Sequence, residues 1–355
     1  MSEAQRSQTT PRLESAGSPE LTTSPQPASA DAMAAVVAPQ YGTSAVLRTE
    51  VVDRPNPRVD EVLVRVRAAA VCQGDVHLLT GKPYLLRLGF GLRRPKDPII
   101  GHDLAGEVVA VGRDVTEFRP GDTVFGSVNS GAFAEYVCVS SRRLAATPAG
   151  LTIEEAAALP DSGMTALQGL RDTGGLGAGQ SVLINGASGG VGSAAVQIAK
   201  ALGAEVTAVC STRHVEAVRA LGADQVIDYT TEDFAATDRR YDVLFDLAGN
   251  RSLRDYRKVL APKGVFVSSA AAPDADWIGP VVWMAKVMLA NLFTSRRLAV
   301  LLMSPRREDL EFLAELAATG KFRPLIEKRY PVAQAAAAVQ HVADGHAQGK
   351  TVLAI

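Results

Sequence analysis

Apolar and polar residues largely alternate through Glu61-Val-Leu-Val-Arg-Val-Arg67, the period-two signature of a strand with one buried face. Leu104 to Val111 reads as a second strand, Arg119-Pro-Gly-Asp-Thr-Val-Phe125 as a turn feeding a third, and Gly131-Ala-Phe-Ala-Glu-Tyr-Val-Cys-Val139 as a fourth. Short strands broken by turns from Ala34 to Thr147 predict a compact β-barrel-like domain. A short helix over Thr152–Leu159 ends that rhythm. Apolar runs at 181–185, 205–210, 225–228, 241–246 and 264–269 then alternate with helical patterns, which predicts an α/β, doubly wound parallel sheet with right-handed crossovers. A helix over Arg307–Ala318 and strands over Pro324–Lys328 and Lys350–Ala354 close the chain, without an internal repeat. The expected organisation is a tail (1–33), a first domain (34–158), a nucleotide-binding domain (159–299) and a return to the first domain (300–355).

The most informative stretch is Ser181-Val-Leu-Ile-Asn-Gly186-Ala-Ser-Gly189-Gly190-Val191-Gly192, running into a helical pattern. A strand, a glycine turn and a helix start are what a dinucleotide pyrophosphate requires. Gly186 permits the tight turn, Gly189 lets backbone approach phosphate, and Gly192 lets helix pack on strand. The first amides of the helix then meet the anion, favoured by the helix dipole. In the strict register of the fingerprint, Ala187 replaces the first glycine. An NAD site places a carboxylate about 20 residues beyond this turn, on the ribose 2′-hydroxyl. Here that place reads Cys210-Ser211-Thr212-Arg213-His214, with no acid. A cation flanked by hydroxyls suits a 2′-phosphate, so the expected cofactor is NADPH.

Composition narrows the remaining possibilities. A net charge of −1 with 21% charged residues gives no footing for a nucleic-acid partner, and Arg93-Arg94-Pro95-Lys96 reads as a solvated loop. Three cysteines, Cys72, Cys138 and Cys210, suit a reducing compartment and exclude a four-cysteine zinc knot. Residues 1–33 are rich in Ser, Thr, Pro, Gln and Ala, which predicts a disordered tail. Its acidic excess and lack of an apolar core argue against a targeting peptide, so a cytoplasmic location is expected. The apolar stretch Trp277–Phe293 is broken by Lys286 and Asn291 and falls short of the roughly 20 residues of a span. It is expected to be a buried helix, a wall of the cleft or an oligomer contact, with no membrane partner.

Gly101-His-Asp-Leu-Ala-Gly106-Glu-Val-Val109, Arg119-Pro-Gly-Asp122-Thr-Val124, Gly131-Ala-Phe-Ala-Glu-Tyr136, the glycine turn and Gly349-Lys350-Thr-Val352 occur in the order of one family. Over residues 34–355 the chain resembles the medium-chain dehydrogenase/reductase superfamily. The wording around Gly81-Lys-Pro-Tyr84, Gly91–Lys96 and Leu183–Gly192 is most similar to its zinc-free, quinone-oxidoreductase-like branch. The resemblance implies a GroES-like β-barrel catalytic domain plus a Rossmann doubly wound sheet, a small-molecule substrate and a homodimer or homotetramer. It also implies that Tyr229 lies beside the adenosine phosphate and that Thr165 contacts the nicotinamide.

Cys72, His102 and Asp161 fall where zinc-dependent relatives hold catalytic zinc, which implies a Cys–His–Asp ligand set as in NADP-dependent secondary alcohol dehydrogenases. In that pattern Asp75 orients His102, Asp103 stands near the metal, and His77 is the proton-relay residue. Gly74 departs from it, because the relay uses Ser or Thr there. The leading expectation is zinc-assisted carbonyl reduction or alcohol oxidation with NADPH. The alternatives are zinc-free reduction of a quinone or α,β-unsaturated carbonyl, with Tyr84 as an enolate donor, and a redox-inactive NADPH-binding protein.

Overall fold

The computed structural model describes residues 31–269, 279–345 and 347–355. The expectation of a disordered tail therefore lies outside the described residues, apart from its last few positions. There the chain is already structured: β1 (Ala32–Val37) begins inside the segment assigned to the tail and buries Met33. It pairs antiparallel with β2 (Arg48–Asp53).

β3 (Glu61–Val71) is the spine of the first domain. Burial alternates only through Val64–Ala68, where Arg65 and Arg67 are exposed; Val62 to Val64 and Ala68 to Val71 are buried throughout. β4 (Asp103–Val111) and β6 (Tyr136–Ser140) flank it antiparallel, and β5 (Thr123–Ser127) and β7 (Leu144–Ala146) extend the sheet beyond β4. The fourth expected strand is shorter than its sequence suggests. Gly131 has a φ of +110°, and residues 133–135 bridge to β1 before pairing with β3 begins at Tyr136. Two helices, α1 (Gln73–Thr80) and the single-turn α2 (Arg87–Phe90), lie between β3 and β4.

After α3 (Ile153–Ala157) and α4 (Pro160–Leu167) the chain enters a six-stranded parallel sheet. Its strands are β8 (Ser181–Asn185), β9 (Glu205–Cys210), β10 (Gln225–Asp228), β11 (Tyr241–Asp246), β12 (Leu260–Ser268) and β13 (Arg297–Val300). Their spatial order is β10-β9-β8-β11-β12-β13, so the winding reverses between β8 and β11. Carboxyl ends at such a reversal form the crevice where ligands bind. Val182, Leu183 and Ile184 are all fully buried, as a parallel strand covered on both faces requires. The intervening helices are α5 (Gly190–Ala201), α6 (Val215–Ala220), α7 (Leu253–Val259) and α8 (Gly279–Asn291). α5 packs Ala194, Ala195, Val196, Ile198 and Ala199 into the core, small residues that allow close approach to β8.

α8 departs from the buried helix expected. Val287 is buried and Trp283 Nε1 donates to Ser268 Oγ at 3.0 Å, but Val281, Val282, Met288 and Leu289 are exposed. Residues 277–278 of that stretch lie outside the described residues. No helix among the described residues is long and apolar enough to cross a membrane.

α9 (Arg307–Ala318), β14 (Ile326–Pro331), α10 (Ala335–Ala343) and β15 (Lys350–Ala354) follow. β14 starts two residues later and ends three residues later than the expected 324–328. β15 inserts between β14 and β3, parallel to the first and antiparallel to the second. The start of β15 also meets the glycine turn: Gly349 N–H donates to Ser188 O at 2.9 Å. Lys350 Nζ lies 3.1 Å from Asp103 Oδ2, with both side chains almost fully buried. The other oxygen of Asp103 accepts the N–H of Asp161 at 3.0 Å. One carboxylate thus ties β4, α4 and β15 together. Removing one partner of a buried pair leaves an uncompensated charge, at a cost of ~3–5 kcal/mol. Chemical denaturation should show that loss for Lys350→Met, and Lys350→Met/Asp103→Leu should regain most of it. A single-variant loss below ~1 kcal/mol would sink the pairing argument.

Candidate active site

The glycine turn opens directly from the buried end of β8. Gly186 has a φ of +94°, a left-handed conformation that side chains other than glycine rarely adopt. A Cβ on Gly192 would lie 2.1 Å from Gly186 O, so the turn closes only with glycine at that position. Gly189 caps α5 in extended geometry, and a Cβ there would meet nothing nearer than Gly186 O at 3.9 Å. The space over Gly189 is open to the cleft, and the first amides of the twelve-residue α5 follow it. Gly190 sits under the Lys350 stem and Ser162 Oγ, each 3.0 Å from the position of a Cβ.

Two adjoining spaces run along this turn. The smaller, about 210 Å³, is lined by Gly186, Ser188, Ser211, Arg213, Tyr229 and Asn250 among others. Ser211, Arg213 and Tyr229, which the sequence places at the adenosine phosphate, line one pocket beside the turn. Thr212 does not line it; its hydroxyl is 2.8 Å from that of Thr230. Asp228 stands beside this pocket without lining it, at the end of β10 where it pairs with Cys210. Hydrogen bonds from Thr212 and Thr230 hold this carboxyl below its ordinary range.

The larger space, about 910 Å³, is lined by Cys72, Gln73, His77, Lys82, Asp161, Thr165, the Gly189–Gly192 turn and Lys350 among others. It shares Gly186, Ala248, Gly345 and Ala347 with the smaller pocket. A dinucleotide laid across both would place its pyrophosphate at the head of α5 and its far end near Thr165 and Cys72. The open face over Gly189 and the cation-and-hydroxyl lining of the smaller pocket fit such a ligand.

At the far end, α1 explains the placement of three candidates. Asp75, in its first turn, accepts the Cys72 N–H through Oδ2 at 2.7 Å, while Oδ1 sits 2.5 Å from His102 Nδ1. Cys72 Sγ is 3.9 Å from the same ring nitrogen. Burial works against a charged His102 ring, but the Asp75 carboxylate outweighs it and the pKa is raised. Burial, then Asp75, Asp161 and Asp103, push the Cys72 thiol well up, so it is held protonated. His77 lies one turn along; burial lowers its pKa, and a neutral ring donates from Nδ1 to Lys82 O at 3.0 Å. That bond leaves Nε2 as an acceptor.

The donors that come together are Cys72, His102 and Asp75, with ligand atoms all within 4.8 Å. Asp161 is not among them. It stands at the first turn of α4 and lines the cleft, with its N–H committed to Asp103. Both oxygens of Asp75 are already engaged. A catalytic zinc needs three protein ligands; as placed, the site offers it a thiol and one imidazole nitrogen. As placed, Asp161 therefore does not complete a Cys72–His102–Asp161 ligand set, although it lies near enough to act on the charge of both. Asp103, expected near a metal, is held by Lys350 instead. Tyr84, expected as a donor, does not line the cleft: the Arg87 guanidinium lies over its ring at 4.6 Å. Lys82 and Gln73, given no role by their motifs, do line it.

Comparison with known proteins gives consistent matches. Two family models match the chain, an alcohol dehydrogenase GroES-like domain over residues 58–149 and a zinc-binding dehydrogenase domain over residues 221–353. A chloroplast envelope quinone oxidoreductase homolog of Arabidopsis thaliana is 34% identical over 327 residues, covering 88% of this chain and 95% of the relative. The mitochondrial NAD(P)H oxidoreductase RTN4IP1 of Mus musculus is 33% identical over 363 residues, covering 90% and 89%. The solved structure of the quinone oxidoreductase from Coxiella burnetii superimposes with a TM-score of 0.80 at 30% identity, covering 91% of this chain and 99% of that one.

Gly189 and Gly192 make separable demands. Gly192→Ala should destabilise the protein by ~1–3 kcal/mol, because its Cβ must displace backbone. Gly189→Ala should leave the melting temperature unchanged yet weaken dinucleotide binding at least tenfold, ~1.4 kcal/mol, by filling the space a phosphate needs. Equal affinity of Gly189→Ala and wild type in a fluorescence titration would overturn this placement of the pyrophosphate.

Proposed function

The chain belongs to the medium-chain dehydrogenase/reductase superfamily, and on that premise we propose that it reduces a quinone or α,β-unsaturated carbonyl with NADPH, without zinc. It is an NAD(P)H-dependent oxidoreductase. The observation that carries the zinc-free reading is the position of Asp161 outside the Cys72–His102–Asp75 group. A quinone is the acceptor that the names of the Arabidopsis relative and the Coxiella structure carry.

When bound, the nicotinamide supplies a hydride. The protein must position the acceptor and stabilise the negative charge that develops on its oxygen. Lys82, Gln73 and the protonated Cys72 thiol are donors lining the relevant wall. The Lys82 ammonium is the strongest of them for a developing enolate or hydroquinone anion. His77, neutral and with its Nδ1–H bonded to Lys82 O, presents Nε2 as a hydrogen-bond acceptor and adds no second positive charge. Thr165, buried on α4 and lining the same wall, supports the reading that the nicotinamide ring lies against it. Ser211 and Arg213 beside the turn supply donors for a 2′-phosphate, which supports NADPH as the reductant.

Zinc-assisted carbonyl reduction remains the second reading because Cys72 and His102 are adjacent and Asp75 holds the His102 ring. Metal analysis separates the two. Purified protein should hold less than ~0.2 zinc per chain and reduce a quinone equally well after chelation. Stoichiometric zinc with activity lost on chelation would replace the first reading by the second. For the cofactor, Arg213→Ala should raise the KM for NADPH at least tenfold, ~1.4 kcal/mol, and that for NADH less than about twofold. Equal losses for the two cofactors would remove Arg213 from the 2′-phosphate.

A further inference from the structure

Between α1 and β4 the chain runs Tyr84-Leu-Leu-Arg-Leu-Gly-Phe-Gly-Leu-Arg-Arg-Pro-Lys96, and its packing is inside out. The charged residue of the first turn points inward. Arg87 donates from Nε to Gly81 O at 3.0 Å and from Nη2 to Thr80 O at 3.2 Å. Its guanidinium is sandwiched at 4.3 Å from the Tyr41 ring and 4.6 Å from the Tyr84 ring. The apolar residues point outward: Leu88 and Leu92 are each 68% exposed, Leu85 44% and Phe90 42%. Solvation does not favour that arrangement, and isolated exposed leucines would need no account, but four within eight residues form a patch.

The segment is also built to hold its shape. Tyr41 Oη donates to Gly91 O at 2.6 Å, and Lys96 N–H donates to Phe90 O at 2.8 Å. Gly91 has a φ of +118°, and a Cβ there would meet Arg94 O at 2.1 Å, so the turn that presents Leu92, Arg93 and Arg94 is closed tightly. Arg93, Arg94 and Lys96 are exposed, and none forms an ion pair among the described residues. The one acid beside them is Asp97. Lys82 and Pro83, just before the segment, line the large cleft, while Phe90 and Lys96 border a separate small cavity of about 50 Å³ with Leu78 and Ile100.

We propose that the Tyr84–Lys96 segment docks the protein onto an anionic lipid bilayer. Projecting leucine and phenylalanine side chains bordered by Arg and Lys are the chemistry of an interfacial contact: apolar groups enter the acyl boundary and cations meet the headgroups. A second copy is a poor occupant, because a two-fold contact through this patch would set Arg93, Arg94 and Lys96 against themselves. The sequence reading gave these cations to a solvated loop and expected no membrane partner. The outward turn of the four apolar side chains, which only the fold reveals, changes that. The proposal does not depend on which acceptor is reduced.

Co-flotation of the full chain with vesicles tests it. Vesicles of phosphatidylcholine with about one third phosphatidylglycerol should retain at least tenfold more protein than phosphatidylcholine alone, and salt should lower that retention. Arg93→Glu/Arg94→Glu should bind both compositions equally, and Leu88→Ser/Leu92→Ser should lose binding to both. Each variant should keep the wild-type melting temperature, which controls for folding. Failure of wild type to float with anionic vesicles would overturn the proposal and leave the patch to an acidic protein. It would equally fall if binding survived in both variants but was lost in Met288→Ser/Leu289→Ser on α8. A change of oligomeric state in Leu88→Ser/Leu92→Ser, read by light scattering, would assign the patch to a second copy.

Discussion

Asp103 and Lys350 are buried together where the two sheets meet, and the geometry of the cleft depends on that contact. Lys350 begins β15, the last strand of the mostly antiparallel sheet, yet its stem lies against Gly190 at the head of α5. Asp103 begins β4 and receives both the Lys350 ammonium and the Asp161 amide at the first turn of α4. Three chain segments, separated by up to 247 residues, converge on one carboxylate. Such a pair adds little net stability compared with apolar residues of the same shape, but it penalises misplacement strongly, since a shifted strand strands a charge. This places the glycine turn opposite the Cys72–His77 wall at a defined separation.

Local patterns were legible in the sequence wherever they carried their own geometry. The glycine turn could be read because each glycine answers a backbone demand: Gly186 a positive φ and Gly192 a contact that leaves no room for a Cβ. The strands of the parallel sheet could be read because burial on both faces leaves continuous apolar runs, such as Val182 to Ile184. Asp75 was also within reach. It lies in the first turn of α1, three residues after Cys72, where a carboxylate meets free amides.

Contacts made only by the fold were not legible. Nothing around Lys350 in the sequence points to Asp103, and nothing around Asp161 says that its amide, with its side chain outside the thiol–imidazole pair, is what meets the catalytic domain. Tyr84 looked like a donor because it follows a motif near the cleft, but Arg87 covers it. α8 looked like a buried helix because it is apolar on nearly all sides, and hydrophobicity alone does not say which side finds a partner. The Leu85–Leu92 patch was hidden for the converse reason. Its inward residue is charged and its outward ones are not, so the usual rule assigns the faces backwards.

The adenosine end of the cleft shows the same limit in a form that bears on cofactor choice. The absence of an acid after β9 was a correct reading of that strand, but β10 brings Asp228 to the same edge, level with Cys210. A carboxylate there would ordinarily argue for a ribose hydroxyl and against a phosphate. Its surroundings reduce that argument. The Thr230 N–H and hydroxyl donate to Asp228 Oδ1 at 3.0 and 2.7 Å, and Thr212 adds a further bond. An acceptor already so well supplied gains less from another hydroxyl than a bare one. Ser211 and Arg213, which line the pocket where Asp228 does not, offer donors instead. On the proposed reading, selectivity at this edge turns on the groups that line the cavity, Ser211 and Arg213 among them.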